Sequence, residues 1–183
     1  SLVAPHDEEM AQALRDIPYA PMVIVALGFS SQVSHDLDGF GFLVAKDQPI
    51  RLLGAIFESS IWSNRAPESG VLIRCLMGGA SDPDALECSD EELVGSALAD
   101  LQTILGVSET PVMSKVIRWP RAIPQYTIGH LLRAKRIEEG AERLGLVVAG
   151  NALGGVSVND CISNARKVVS SVASQLAGSS AVL

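Results

Sequence analysis

An α+β fold, with a mixed and largely antiparallel sheet flanked by helices, is predicted for this chain on three observations. Four β-branched, apolar stretches, at residues 22–29, 39–45, 50–58 and 71–77, include links as short and turn-forming as Lys46-Asp47-Gln48-Pro49. Short links favour antiparallel neighbours. Helical periodicity accompanies them at residues 7–17 and 89–105. Only the last segment, with a strand at 146–149, a glycine-rich turn at 150–155 and a helix over 160–176, looks like a βα unit of a nucleotide-binding domain.

Each element has a local cause. Met10, Ala13, Leu14 and Ile17 recur at three and four residues behind an Asp7 cap, and Pro18 stops that helix. Residues 22–29 are apolar on both faces and read as a buried strand. Ser89 and Glu92 have capping-box spacing, so a helix begins there, carries Leu93, Val94, Ala97, Leu98, Leu101, Ile104 and Leu105 on one face, and ends at Gly106. A strand over 112–119 is followed by a proline-punctuated stretch, 120–125, and by a helix over 130–144 stopped by Gly145. In the closing helix Ile162, Ala165, Val168, Val169, Val172 and Leu176 form the expected inner face, and residues 178–183 read as frayed.

Composition narrows the function. The 183 residues carry 14 Lys and Arg against 21 Asp and Glu, a formal charge of −7, with no basic cluster to neutralise phosphates, so no nucleic-acid partner is expected. No apolar run approaches the ~20 residues that span a bilayer. Cys75, Cys88 and Cys161 are far apart, lack metal-ligand spacing and read as reduced thiols of a cytoplasmic protein. No metal site is expected. The chain opens at Ser1 without an initiator methionine or signal peptide and runs straight into helix-like sequence, which suggests a piece of a longer protein.

Side chains for catalysis are scarce. There is no nucleophile elbow, no HExxH motif, and no carboxylate or cysteine partner for His6, His35 or His130 beyond chance. Chemistry, where present, should come from a cofactor. The strand, glycine turn and helix start at 146–160 make an anion-binding geometry or an ordinary tight loop; the pattern allows both, and it is neither GxGxxG nor a P-loop. The segment from Arg118 to Tyr126, stiffened by Pro120 and Pro124, suits either the lining of a flat ligand or a pair of core plugs, Trp119 and Tyr126.

Five blocks in order then carry a resemblance: Gly39-Phe40-Gly41-Phe42-Leu43-Val44, Leu53-Gly54-Ala55-Ile56-Phe57, Met77-Gly78-Gly79, the IPQYxxGH stretch from Ile123 to His130, and Gly150-Asn151 through to the GVxxND stretch ending at Asp160. Together they resemble the C-terminal part of the FAD-dependent protoporphyrinogen oxidases, in the flavin amine oxidase superfamily. The resemblance implies that residues 1–118 belong to a substrate-binding domain and residues 119–183 return to the FAD-binding domain. It implies FAD contacts at Trp119, Gly150, Asn151, Gly155, Val156, Ser157, Val158 and Asn159, and a substrate wall of Leu43, Ile56 and Leu76 beside the flavin. The implied reaction is oxidation of protoporphyrinogen IX to protoporphyrin IX in two-electron steps to FAD, with oxygen as acceptor, no metal, and no catalytic side chain from this region. Coproporphyrinogen III oxidation, another flavin amine oxidase chemistry, or a non-enzymatic binding module are the alternatives. The family's GxGxxG for the FAD pyrophosphate is absent here, so the chain is expected to lack FAD and activity alone, to need that missing half, to self-associate through bare strand edges, and to be membrane-peripheral only in the whole protein.

Overall fold

The structure, a computed structural model, describes residues 2–179. In chain order its elements are α1 (Glu8–Arg15), β1 (Tyr19–Phe29), β2 (Gly41–Leu43), β3 (Gly54–Phe57), α2 (Glu58–Ile61), β4 (Val71–Gly78), a 3-10 turn (Pro83–Leu86), α3 (Asp90–Leu105), β5 (Met113–Pro124), α4 (His130–Arg143), α5 (Asn151–Gly154) and α6 (Val158–Ser179). They form two compact units. One is residues 20–122; the other joins the start of the chain, through Tyr19, to everything from Ile123 onward.

The unit of residues 20–122 is built on a five-stranded sheet in the order β2-β3-β4-β1-β5. The pairs β2–β3 and β3–β4 are antiparallel, as the short links between them favour, and β1 pairs antiparallel with β4 as well. Burial alternates along the central strands: Val23, Val25 and Leu27 of β1 and Ile73, Cys75 and Met77 of β4 are sealed, while Ile24, Ala26, Leu72, Arg74 and Leu76 between them are half-exposed. The sealed face packs on Leu93, Ala97 and Leu101 of α3, and each fully buried Leu or Ile there stabilises by roughly 1.5–3 kcal/mol. The opposite face, although apolar along β1, has no such cover among the described residues; the expectation of a strand buried on both sides fails for that reason.

Helix α3 starts and stops where its sequence indicates. Ser89 and Glu92 form a reciprocal capping box, and Gly106, at φ 73°, closes the helix in the left-handed conformation. One oxygen of Asp100 on α3 accepts the backbone N–H groups of both Arg51 and Leu52, each at 2.9 Å, and so ties the approach to β3 onto the helix. Strand β5 runs through Pro124, beyond its expected end. It lies at the edge of the sheet, where a proline removes no ladder bond that a neighbour needs.

In the second unit α1 docks on α4. Met10, Ala13 and Ile17 bury against Ile137 and Ala141. A Cβ on Gly140 would sit 2.7 Å from Met10 Cβ, so the close approach depends on the absence of a side chain there. Asp7 caps α1 by accepting the Met10 N–H at 2.8 Å and pairs with Arg143 of α4 at 2.7 Å; the capping N–H first, then Arg143, hold its carboxyl below the usual carboxylate range.

Three expectations are corrected at the C-terminal end. Residues 146–149 form no strand among the described residues, because a lone extended segment cannot satisfy its own backbone groups and no neighbouring strand is offered to it. The glycine-rich stretch 150–155 encloses a short helix, α5. Helix α6 begins at Val158 rather than 160 and continues through Ser179, with Ile162, Val169 and Leu176 exposed rather than turned to a core. Residues 180–183, expected to fray, lie outside the described residues.

Two consequences are open to measurement. Asp100→Ala leaves the Arg51 and Leu52 N–H groups without their acceptor and is expected to lower unfolding stability by about 2 kcal/mol in a urea titration, with a smaller loss for Asp100→Asn. Burial pushes the Cys75 thiol up to about 12, so an alkylating reagent at neutral pH should modify Cys75 only after unfolding, while the half-buried Cys88 and Cys161 react in the native state.

Candidate functional site

Two surfaces hold the residues singled out by sequence, one in each unit. On the sheet, register decides which side chains are neighbours. Leu43 pairs with Gly54, and Gly54 with Leu76, which faces Ile24; the next row of the same face runs from Gly41 through Ile56 and Arg74 to Ala26. Leu43, Ile56 and Leu76 therefore share one face, the one that α3 does not cover. Leu43 is 88% exposed, and Ile56 and Leu76 are half-exposed. Gly54 keeps the centre of this patch flat, since a Cβ there would lie 2.4 Å from the Phe42 carbonyl oxygen. At the far edge the Met113 side chain lies over Gly28 on the same face, and period-two alternation along β5 brings Trp119, 52% exposed, to that face as well. The result is a shallow apolar platform with an indole at its margin.

The same face carries a charged corner that sequence reasoning missed. Arg74 projects from β4 beside Ile56, and the buried Glu58, first residue of α2, lies 2.6 Å from its Nε, although that N–H is not aimed along the contact. Leu72 N–H donates to Ser59 Oγ at 3.1 Å and pins α2 to the strand. A charge in the middle of an apolar strand was the available signal.

In the other unit the segment from Gly150 to Asp160 is held from outside and from within. Tyr126 Oη donates to the Asn151 carbonyl at 2.6 Å and accepts the Gly155 N–H at 2.8 Å, bracketing α5. The Tyr126 ring stacks on the buried His130 with centroids 3.9 Å apart. Tyr126 is thus a clamp on the turn, a role that its sequence context alone did not separate from core filling. Gly155 has φ 119°, and a Cβ there would come within 2.5 Å of Asp160 Cγ, so only glycine fits. Ser157 and Asp160 cap α6: the Ser157 N–H and hydroxyl donate to Asp160 Oδ2 at 3.3 and 2.6 Å, and the Asp160 N–H donates back to Ser157 Oγ at 3.0 Å. That Ser-x-x-Asp signature was visible in the sequence and sets the helix start two residues early.

Between these fixed points lie open donors. The backbone N–H groups of Val156, Val158 and Asn159 make no hydrogen bond among the described residues, and Val156 and Val158 are 50% and 76% exposed. They sit at the N-terminus of a 22-residue helix, where orphan N–H groups and the helix dipole favour carbonyl oxygens and partial negative charge. Gly150, at φ 147°, and the half-buried Asn151 open the segment on its other side.

A family model described as flavin containing amine oxidoreductase matches residues 1–173. The chain is 32% identical to the chloroplastic protoporphyrinogen oxidase of Nicotiana tabacum, over 94% of its own length and 34% of the relative's. It is 30% identical to the coproporphyrinogen III oxidase of Bacillus subtilis (strain 168), over 86% of its length and 34% of that protein. Among solved structures, one from Exiguobacterium sp. 255-15, assigned as a protoporphyrinogen oxidase, superposes with a TM-score of 0.75 at 27% identity, covering 88% of this chain and 36% of that one. The chain therefore spans about a third of the length of the curated relatives it matches. No helix among the described residues is long and apolar enough to cross a membrane.

Removing the clamp has a local readout. Tyr126→Phe keeps the stacked ring but deletes both hydrogen bonds, and is expected to destabilise the turn by about 1–2 kcal/mol, seen as roughly tenfold faster amide exchange at Gly155 with the α3 amides unchanged.

Proposed function

We propose that this chain, which belongs to the flavin containing amine oxidoreductase family, is the C-terminal part of an FAD-containing, oxygen-dependent porphyrinogen oxidase. Relatives named as protoporphyrinogen and coproporphyrinogen III oxidases both match along most of the chain, so the substrate class is a porphyrinogen, a flat and largely apolar reduced tetrapyrrole. The observation that carries this proposal is the uncovered sheet face, on which Leu43, Ile56 and Leu76 fall in register with a flat glycine between them. Such a surface matches the face of a macrocycle and excludes water from it.

The residues from Gly150 to Asn159 suit a flavin. Their exposed backbone donors at a helix N-terminus are of the kind that an isoalloxazine carbonyl edge accepts, and Gly155 admits no side chain that would obstruct the approach. Val156, Val158 and Asn159 would hold that edge through their open backbone N–H groups, with Ser157 fixing the turn between them. FAD, when bound, supplies the two-electron acceptance. This chain's part is to orient the substrate, to keep the platform dry and to fix the donors before the ligand arrives, which lowers the ordering cost at binding. The pyrophosphate-binding loop and the surface facing the platform would be supplied by residues outside this chain, which spans about a third of its relatives' length. In this reading the sheet unit, residues 20–122, acts as the substrate domain, and the unit that joins the residues up to Tyr19 to those from Ile123 acts as the returning FAD domain. Without its other half the chain is expected to expose the platform, the unpaired 146–149 segment and the apolar side of α6, and to self-associate.

The test compares the whole protein with this chain alone. The full-length product should purify with flavin absorbance and convert a reduced porphyrinogen to fluorescent porphyrin with oxygen uptake, while residues 1–183 alone should do neither. A full-length protein that holds no flavin, or that oxidises neither porphyrinogen, would remove the proposal.

A further inference from the structure

The charged corner of the platform is a cleft of about 330 Å³ lined by Ala26, Glu58, Trp62, Arg65, Leu72 and Arg74. Its floor is the same sheet face that carries the apolar wall, because Ala26, Leu72 and Arg74 alternate in register with Ile24, Leu76 and Ile56. Successive same-face residues along β4 are about 7 Å apart, so a flat ring lying on Leu76 and Ile56 brings the groups on its rim over Arg74.

The chemistry of the cleft suits a carboxylate. Glu58, 7% exposed, sits against the Nε side of Arg74, leaving both Nη groups, the pair that forks onto a carboxylate, with no acceptor among the described residues. Arg65, on the exposed loop after α2, makes no hydrogen bond or ion pair among the described residues, and it gives the cleft a net positive charge against Glu58. Trp62, 55% exposed, and Leu72 supply apolar sides that would strip water from an aliphatic arm ending in that charge. Two arginines at the rim of an apolar platform, one of them beside a buried carboxylate, give the cleft the paired donors that a carboxylate takes.

We propose that this cleft receives a propionate of the macrocycle, paired to Arg74 and Arg65, and that it biases the enzyme toward the more carboxylate-rich porphyrinogen. This rests on the porphyrinogen-oxidase function proposed above. Coproporphyrinogen III carries a propionate on every pyrrole ring and so presents one to the cleft in any orientation on the wall. Protoporphyrinogen IX has vinyl groups in place of half of them, and a vinyl placed here would leave the guanidinium groups without their partner.

The experiment uses the full-length flavoprotein and steady-state oxidation of both substrates. Arg65→Gln leaves the framework of the cleft intact; Arg74→Leu is made together with Glu58→Gln so that no buried carboxylate is stranded. Loss of one charge-assisted contact should raise KM for coproporphyrinogen III about tenfold or more in each variant, with kcat within about twofold and a smaller change in KM for protoporphyrinogen IX. Unchanged KM values for coproporphyrinogen III in both variants, or equal shifts for the two substrates, would overturn the subsite while leaving the oxidase proposal standing. A wild-type protein that oxidises neither substrate would remove that proposal and this one with it.

Discussion

The period of two in β1 and β4 is the constraint on which the functional surface rests. Every second side chain is committed to α3, and the intervening ones have nowhere to go but the opposite face. Because Val23, Val25, Ile73 and Cys75 are fully sealed, a one-residue slip would exchange the two faces and expose the core, so the register is strongly held. The positions of Leu43, Ile56 and Leu76 are a by-product of that commitment. A rigid core on one side makes a rigid platform on the other, and Arg74 takes its address from the same alternation.

The glycine-containing segment of the other unit reaches rigidity by different means. It has little buried surface of its own, and its order comes from polar contacts: the Tyr126 hydroxyl bracketing α5, the Ser157–Asp160 cap, and a left-handed Gly155 that tolerates no substitute. Satisfying Gly155, Ser157 and Asp160 internally while leaving Val156, Val158 and Asn159 unsatisfied separates the donors that hold the loop from those that remain available to a ligand. Preorganised backbone donors of this sort hold their geometry at no further cost when a partner arrives.

Much of this was legible in the residues. The Ser89–Glu92 box, Gly106 and the Asp7 cap locate α1 and α3 almost to the residue, because caps are local chemistry. The antiparallel order of the short-linked strands followed from connection length. What could not be read depended on partners that pattern does not reveal. The 146–149 segment has the composition of a strand but no strand beside it among the described residues, and α6 has an apolar stripe but nothing in the described residues to bury it. The two prolines of β5 pointed to a loop, and only the strand's place at the sheet edge reconciles them with extended pairing. Arg74 showed itself as a charge among aliphatics, but its meaning needed the buried Glu58 brought alongside by the turn into α2. The Leu43, Ile56 and Leu76 set came from family resemblance, and register supplied a physical reason for their grouping.

The packing of α1 on α4 also dictates an order of assembly. Met10 and Gly140 touch across most of these residues, and the Asp7–Arg143 pair spans 136 positions, whereas the sheet unit and α3 close essentially within residues 20–122. During synthesis the middle of the chain can close on itself as it leaves the ribosome, while the first helix must wait, apolar side bare, until the residues near 140 follow. For that interval α1 is a natural client for chaperones, and the Gly140 contact is the step that releases it.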